Sequence, residues 1–197
     1  KVMPGDTVMV HHTTITPCQK EYLLAFHKPA GIVCTTSKID KNNVIDYLNF
    51  PERIYPVGRL DKESTGLLLL TNNGQLMDDI LRGSNYHEKE YIVHVNKPIT
   101  DSVLQAMAQG VPILDTITRP CKIRRMGKDC FYITLTQGLN RQIRRMCEYF
   151  DYRVTSLKRI RIMNIELGSL PVGKWRELTP SEIKTLKNLA QNKGEAE

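Results

Sequence analysis

Short apolar segments recur along the whole chain, and they predict a protein rich in β-strands. Uninterrupted apolar runs such as Leu67–Leu70 have the length of a buried strand. In Tyr91–Val95 and Phe131–Leu135, every second residue is apolar, which is typical of a strand with one buried face. No stretch approaches the roughly 20 apolar residues that a membrane helix needs. The pattern therefore predicts strands in a packed core and excludes a membrane-spanning segment.

Apolar residues spaced three and four apart predict helices between these strands. The clearest stripe is formed by Ile143, Met146, Cys147 and Phe150, and the clearest start is the capping box of Thr179 and Glu182, with Pro180 between them. Interspersed helices and hairpin-like strands favour an α+β fold around a mixed, mostly antiparallel sheet. The other predicted helices cover Asn43–Leu48, Gln75–Leu81 and a segment that begins at Thr100 or Asp101 and ends at Gly110.

The first residues have a different character from the rest. Thr7–Val10 reads as a short strand after a Pro-Gly-Asp turn, and Thr13–Gln19 reads as a polar linker. We expect residues 1–17 to be the end of a preceding module and residues 18–197 to form the main domain. Further along, Ile117–Ile123 and Phe131–Leu135 read as the two strands of one hairpin.

The charge balance favours a polyanionic partner. The formal net charge is +7, which favours nucleic acid first and an anionic membrane surface second. The basic residues group in the C-terminal half, where they could line one groove and follow a phosphate backbone. With no signal peptide in the sequence, we expect a cytoplasmic protein. The three clusters are Arg124, Arg125 and Lys128; Arg141, Arg144 and Arg145; and Lys158, Arg159 and Arg161.

The cysteines and histidines do not form a metal-binding pattern. The five cysteines are far apart and include no CxxC pair, and the five histidines are scattered. This spacing argues against a disulfide framework and against a zinc site. We expect reduced cysteines that act as small core hydrophobes, and no metal.

The polar loop Gly58–Leu67 is the best candidate for chemistry. It lies between two apolar strands, where a rigid scaffold can hold a reactive side chain. Asp61 has Arg59 and Lys62 beside it, and nearby cations favour the ionised carboxylate. An ionised aspartate suits nucleophilic or carbanion-forming chemistry. On spacing alone, a turn aspartate satisfied by backbone N–H groups remains the alternative.

Four blocks in this chain resemble the signature motifs of pseudouridine synthases. Gly58–Asp61 with Ser64–Asn72 is similar to the central block, and Lys28–Gly31 precedes it as the first motif. His87–Tyr91 resembles the tyrosine motif, and Gly138–Met146 the last motif. Their form is similar to the branch that acts on ribosomal RNA, and most like its F-type large-subunit member. Members of this branch usually carry an N-terminal S4 RNA-binding domain, and residues 1–17 resemble only the end of one.

The resemblance implies a fold with a central catalytic cleft, and a role for three residues. Asp61 would be the essential carboxylate, Tyr91 would stack on the target base, and Arg144 would pair with Asp61. Asp61 would either attack C1′ of the ribose or take a proton from C2′. The uracil would then be detached, turned and rejoined through C5. Such an isomerisation needs no redox cofactor, no ATP and no metal. Without the resemblance, a tyrosine packed on a sheet face would explain Tyr91 equally well.

Helical geometry separates Arg144 from its neighbours. At about 100° per residue, Arg144 lies at the edge of the apolar stripe, where a side chain can turn into a cleft. Arg141 and Arg145 point away from that stripe, which suits either RNA phosphates or a solvated helix face. Arg59 could fill the gap left by an extruded uridine, or form an ion pair within its loop. The sequence leaves open whether Lys28 is structural or contacts the substrate.

The expected partner is a stem-loop of 23S ribosomal RNA, with a transfer RNA arm as a second substrate and with the protein acting as a monomer. A non-catalytic RNA-binding or ribosome-assembly protein is the alternative from another class. A nucleoside hydrolase is weaker, because no second carboxylate is linked to Asp61 by a motif. The joint presence of Asp61, Tyr91 and Arg144 favours the enzyme, since a binder of RNA has no use for an anion in a phosphate-binding cleft.

Overall fold

The computed structural model describes residues 6–11, 13–15, 20–37, 39–82 and 86–191. Within them, the five helices are α1 (Val44–Leu48), α2 (Gly74–Leu81), α3 (Asp101–Gln109), α4 (Gln142–Tyr149) and α5 (Pro180–Gln191). The strands are β1 (Val8–Val10), β2 (Thr13–Ile15), β3 (Leu23–Lys28), β4 (Tyr55–Val57), β5 (Thr65–Thr71), β6 (Lys89–Val95), β7 (Pro112–Ile113), β8 (Thr116–Ile117), β9 (Lys122–Arg125), β10 (Cys130–Leu135), β11 (Val154–Ile162), β12 (Ile165–Glu166) and β13 (Trp175–Glu177). None of these helices is long and apolar enough to cross a membrane.

One large sheet organises the molecule. Its main path runs β13-β3-β5-β11-β6-β10-β9, with β4 added to β5 and β12 added to β11. The β5–β11 pair is parallel, and the other pairs in this sheet are antiparallel. Helices pack against this sheet, and the predicted α+β fold with a mixed, mostly antiparallel sheet is confirmed. Two two-stranded sheets, β1-β2 and β7-β8, lie outside it.

The apolar run in β5 reflects a central strand that is covered on both faces. Leu67 and Leu69 belong to one core cluster, and Leu68 and Leu70 belong to another. Successive side chains of a strand point to opposite faces, so a continuous apolar run is needed where both faces are buried. Burial of each leucine side chain contributes about 2 kcal/mol. This strand therefore anchors the loop that precedes it, which carries Asp61.

The helix starts follow the capping residues expected from the sequence. Asn73 and Thr100 accept hydrogen bonds from backbone N–H groups in the first turns of α2 and α3. At α5, Thr179 Oγ1 accepts from the Glu182 N–H, and the Glu182 carboxylate accepts from the Thr179 N–H. The predicted capping box is confirmed, and it fixes where the last helix begins.

Two expectations about individual segments were wrong, and one strand was not predicted. Thr13–Ile15 forms β2 against β1 rather than a linker. The single strand expected over Ile117–Ile123 is interrupted around Pro120, which has no N–H for a ladder, so that β8 pairs with β7 and β9 pairs with β10. The edge strand β13 was missed because three polar or half-exposed residues carry no alternation signal. Of the expected N-terminal module, residues 1–5, 12, 16 and 17 lie outside the described residues.

Candidate active site

The buried Lys28 side chain binds the backbone of the loop that carries Asp61. The Lys28 side chain is fully buried, and its ammonium donates to the backbone oxygens of Pro29 at 2.8 Å, Lys62 at 3.3 Å and Ser64 at 2.8 Å. Burial lowers the pKa of Lys28, while the oxygens around it satisfy its donors. Two of these oxygens belong to Lys62 and Ser64, which follow Asp61 closely in the same loop. The geometry therefore favours the structural reading of Lys28 over the expected contact with RNA.

Asp61 and Arg144 lie together, although they are far apart in the sequence. Arg144 Nε is 3.4 Å from Asp61 Oδ2, and Arg144 Nη2 donates to Ser64 Oγ at 3.3 Å. The third nitrogen, Nη1, lies 3.5 Å from the Val154 oxygen. The Arg144 side chain is 11% exposed and that of Asp61 is 27% exposed, so the pair faces solvent on the carboxylate side. A pair of this kind holds the carboxylate in place and leaves it accessible to a ligand.

Arg141 also lies beside Asp61. Its Nη1 is 3.7 Å from Asp61 Oδ2 and 3.3 Å from Glu63 Oε2. Arg141 is the N-cap of α4 and has left-handed backbone angles, with φ 51°. Its side chain is exposed, as expected for a residue that points away from the apolar stripe of the helix. Arg145, within the helix, bonds to the backbone and side-chain oxygens of Asn140 instead.

A cavity of about 770 Å³ opens beside Asp61. Its walls come from the Asp61 loop, from β6 and β11, and from the segment that leads into α4. Tyr91 lines this cavity and packs against two core clusters, and the Arg159 guanidinium lies 6.0 Å from the centre of its ring. The volume is in the range of sites that enclose one small ligand. The cavity therefore has room for a single nucleotide.

Arg159 is part of the cavity floor rather than a surface cation. It is 3% exposed, its Nε donates to the Leu67 oxygen at 2.7 Å, and its Nη1 lies 3.5 Å from the Arg59 oxygen. Its Nη2 is buried and has no hydrogen-bond partner. The expected contact between Arg159 and RNA phosphates does not fit this burial. Arg59 itself is exposed and also lines the cavity.

Several other expected RNA contacts lie away from the cavity. Arg125 bonds to the Asp101 carboxylate and the Ile99 oxygen, and Arg161 bonds to Glu88 and Glu90. These ion pairs engage both guanidinium groups within the protein. Arg124 and Lys158 also do not line the cavity. The Arg124 guanidinium stacks over the Tyr132 ring at 4.0 Å. Strand alternation places Lys158 on the opposite face of β11 from Arg159. Of the three basic clusters, only Arg141 and Arg159 line this cavity.

Two cavity residues escaped the sequence reasoning, His87 and Lys89. Lys89 Nζ donates to the His87 oxygen at 3.3 Å, and His87 Nδ1 lies 3.0 Å from the Ile80 oxygen. Burial, and then the charge of Arg159, lowers the pKa of Lys89 to about 8. The signal that could have found Lys89 is the alternation of β6, because it places Lys89 on the same face as Tyr91.

The described residues include no group of three or more His, Cys, Asp or Glu side chains that could hold a metal ion. Four cysteines in this part of the chain are free: Cys34, Cys121, Cys130 and Cys147. Burial raises the pKa of Cys121 to about 11 and that of Cys147 to about 12, so both remain protonated thiols.

The family model described as RNA pseudouridylate synthase matches residues 22–149. This chain belongs to that family. The dual-specificity RNA pseudouridine synthase RluF of Escherichia coli strain K12 is 50% identical over 194 residues, which are 98% of this chain and 67% of the relative. The ribosomal large subunit pseudouridine synthase B of Bacillus subtilis strain 168 is 33% identical over 201 residues, which are 98% of this chain and 82% of the relative. A crystal structure of a pseudouridylate synthase has a TM-score of 0.79 and 28% identity, covering 94% of this chain and 82% of that one.

These similarities confirm the resemblance to the F-type branch of pseudouridine synthases. The chain is an RNA-modifying isomerase, and RNA is the class of molecule on which its family acts. The resemblance rested on four motifs in order, and two of them, Gly58–Asp61 and Gly138–Met146, carry the residues that the fold brings together.

Proposed function

We propose that this pseudouridine synthase isomerises specific uridines in a stem-loop of 23S ribosomal RNA, with Asp61 as the essential carboxylate. The observation that carries the proposal is the Asp61 carboxylate, held by Arg144 at the edge of a cavity that has room for one nucleotide and that Tyr91 also lines. A fixed anion in a cleft that must bind phosphates costs RNA affinity. It is useful only if it reacts with the bound nucleotide.

The reaction begins at the ribose of an extruded uridine. The Asp61 carboxylate either attacks C1′ or takes a proton from C2′, and both routes need it to be accessible and within reach of the sugar. The electron pair of the C1′–N1 bond leaves with the uracil. After the uracil has turned, C5 bonds to C1′, either displacing the Asp61 carboxylate or with return of the proton to C2′. C5 then loses its proton and N1 gains one. The atoms of substrate and product are the same, so the reaction needs no redox cofactor, ATP or metal.

Tyr91 and Arg59 provide for the extruded base. Tyr91 presents a ring inside the cavity, on which the uracil can stack, and it lies close enough to assist in removing the C5 proton. Arg59 is exposed at the rim, where its guanidinium can stack in the gap left in the RNA helix. Filling that gap offsets part of the unstacking cost, which is a few kcal/mol. The arrangement therefore suits an enzyme that takes a base out of folded RNA.

The substrate is inferred from the relatives. One of them is named as a ribosomal large subunit enzyme and another as a dual-specificity RNA enzyme. We infer ribosomal RNA as the main substrate and a transfer RNA arm as the second. We expect the enzyme to act as a monomer in the cytoplasm. Affinity for either RNA should fall as salt rises, because rim cations such as Arg141 and Arg145 would bind phosphates.

Tritium release tests the proposal directly. RNA stem-loops with tritium at uracil C5 are incubated with the unmodified protein, with Asp61→Asn and with the surface control Asp115→Asn. The unmodified protein and the control should release tritium at equal rates, while Asp61→Asn should bind RNA without release. If the unmodified protein binds RNA and releases nothing, the assembly-protein alternative holds and the proposal fails.

A further inference from the structure

The cavity contains a second set of polar groups that the roles of Asp61, Tyr91 and Arg144 leave unused. His87, Lys89 and Arg159 all line it. Among the described residues, only three buried side-chain N or O atoms lack a hydrogen-bond partner, and His87 Nε2 and Arg159 Nη2 are two of them. The Lys89 ammonium has three N–H donors and one contact within the described chain, to the His87 oxygen. Buried polar atoms without partners are costly unless a ligand satisfies them.

These groups surround the place where a base stacked on Tyr91 would present an edge. Lys89 and Tyr91 are two residues apart on one face of β6, about 7 Å along the strand. Arg159 is directly opposite Tyr91 on the neighbouring strand β11. His87 precedes β6, and its 8% exposure places it in the wall. The three groups therefore form one side of the cavity next to the tyrosine ring.

The three groups differ in hydrogen-bonding character. Lys89 and Arg159 can only donate. The Ile80 oxygen can only accept, so His87 Nδ1 carries a proton, and Nε2 is the acceptor of that tautomer. The wall thus offers two donors and one acceptor. A phosphate group offers acceptors alone and would meet the His87 lone pair unfavourably.

Uracil offers the matching edge. Its N3–H donor lies between two carbonyl acceptors, O2 and O4. The hydrogen-bonding pattern of this edge is unchanged when the detached base rotates. A half-turn about the N3–C6 axis exchanges O2 with O4 and N1 with C5. The same three protein groups can therefore hold the uracil before and after the rotation that brings C5 to the ribose. Cytosine has an amino group in place of O4, so a donor would face one of the two cationic donors and no hydrogen bond would form there.

The wall also carries uncompensated positive charge. Glu88 and Glu90, the neighbours of Lys89, bond to Arg161, and Glu88 also bonds to Lys122. No carboxylate lies within ion-pair distance of Lys89 in the described chain. When the C1′–N1 bond breaks, its electron pair spreads over N1 and the two carbonyl oxygens. A half-buried ammonium beside one of those oxygens stabilises that charge more strongly than it stabilises neutral uracil.

We propose that His87, Lys89 and Arg159 form the uracil-binding subsite, and that Lys89 is a further catalytic residue that stabilises the departing uracil anion. This inference rests on the proposed function. No proton leaves the ammonium: its hydrogen bond to the carbonyl strengthens as charge develops, and it weakens again once C5 has bonded to C1′.

Single-turnover kinetics at saturating RNA tests the role of Lys89. Lys89→Met should slow the conversion of uridine by about 10²-fold, with the dissociation constant for RNA changed less than threefold. Lys89→Arg should restore most of the rate, and the remote control Lys184→Met should match the unmodified protein. With 5-fluorouridine at the target, whose fluorine stabilises the uracil anion, the defect of Lys89→Met should be at least tenfold smaller. The rate is read as loss of N-linked 5-fluorouridine from nuclease digests.

A second measurement needs no variant. RNA with 3-methyluridine at the target lacks the N3–H donor, and the unmodified protein should bind it but turn it over at least 100-fold more slowly than uridine. Equal rates on the two RNAs, or equal Lys89→Met defects on uridine and 5-fluorouridine, would overturn the subsite. A defect of Lys89→Met confined to RNA affinity would also overturn it and indicate a phosphate contact. Failure of the unmodified protein to form pseudouridine at all would instead overturn the proposed function.

Discussion

Arg144 contacts Asp61 through Nε and Ser64 through Nη2, so one guanidinium joins the carboxylate to the buried hydroxyl that follows it in the same loop. The arginine is almost enclosed, while the carboxylate remains accessible from the cavity. This arrangement fixes the direction of the carboxylate without covering the face that would meet a ribose.

Replacing Arg144 should separate catalysis from binding. For Arg144→Ala we expect single-turnover rates to fall by about 10²-fold or more, because the Asp61 carboxylate loses its fixed orientation. RNA affinity should change only modestly, since the side chain is 11% exposed and out of reach of phosphates. Rates at saturating RNA and filter-binding constants test both parts. A loss of affinity as large as the loss of rate would contradict this positioning role.

Ser64→Ala should weaken the same arrangement from the other side. The Ser64 side chain is fully buried, and the substitution removes one acceptor of Arg144. We expect an unfolding free energy lower by about 1 kcal/mol and a rate at saturating RNA reduced by about tenfold, with the Michaelis constant little changed. Ser64→Thr, which keeps the hydroxyl, should recover part of the rate. An unchanged rate for Ser64→Ala would show that Arg144 needs no support from this residue.

The catalytic loop could be predicted from the sequence because its constraints are local. The apolar run Leu67–Leu70 can only be a strand covered on both faces, and the polar loop before it follows from that. Arg144 was separated from Arg145 by the apolar stripe of one helix, which is also a local pattern. The roles of Asp61, Tyr91 and Arg144 came from the resemblance of four motifs, in order, to those of pseudouridine synthases.

Properties that depend on strand pairing could not be predicted in this way. Lys89 stands between two glutamates and reads as an exposed residue, yet the pairing of β6 with β11 brings Arg159 near it and buries it. Arg159 was assigned to a surface cluster for the same reason.

Rim cations should determine the salt dependence of RNA binding. Arg141→Ala and Arg145→Ala should each reduce the slope of log affinity against log salt by about 0.7–0.9, the value for one lost phosphate contact. The remote control Lys184→Ala should leave the slope unchanged. Titrations between low and physiological salt measure this. A slope that does not change in either arginine variant would remove both residues from the phosphate-binding surface.

The ion pair between Arg176 and Glu182 at the start of α5 should make the free energy of unfolding depend on pH. Hydrogen bonds from Arg176, and from the Thr179 N–H, lower the pKa of Glu182 to about 2. A depressed carboxyl pKa contributes stability that is full above the usual value near 4.5 and is lost as the pH falls towards 2. Glu182→Gln should lower the unfolding free energy at pH 7 by about 1–2 kcal/mol. The deficit should vanish near pH 2, and an equal deficit at both pH values would contradict this origin.

The close approach of β5 to β11 should make Gly66 irreplaceable. Its φ is +109°, and a Cβ at this position would lie 2.5 Å from the backbone nitrogen of Arg159. Because that neighbour is backbone, Gly66→Ala must push the two strands apart, at a cost of at least about 3 kcal/mol. For a chain of this size, that corresponds to a melting temperature lower by about 6–12 °C. Gly74→Ala is the matched control, because Gly74 begins α2, has open space around it, and should melt at the same temperature or slightly higher. If both variants melt together, the parallel pairing that places Arg159 beneath the cavity does not require a glycine.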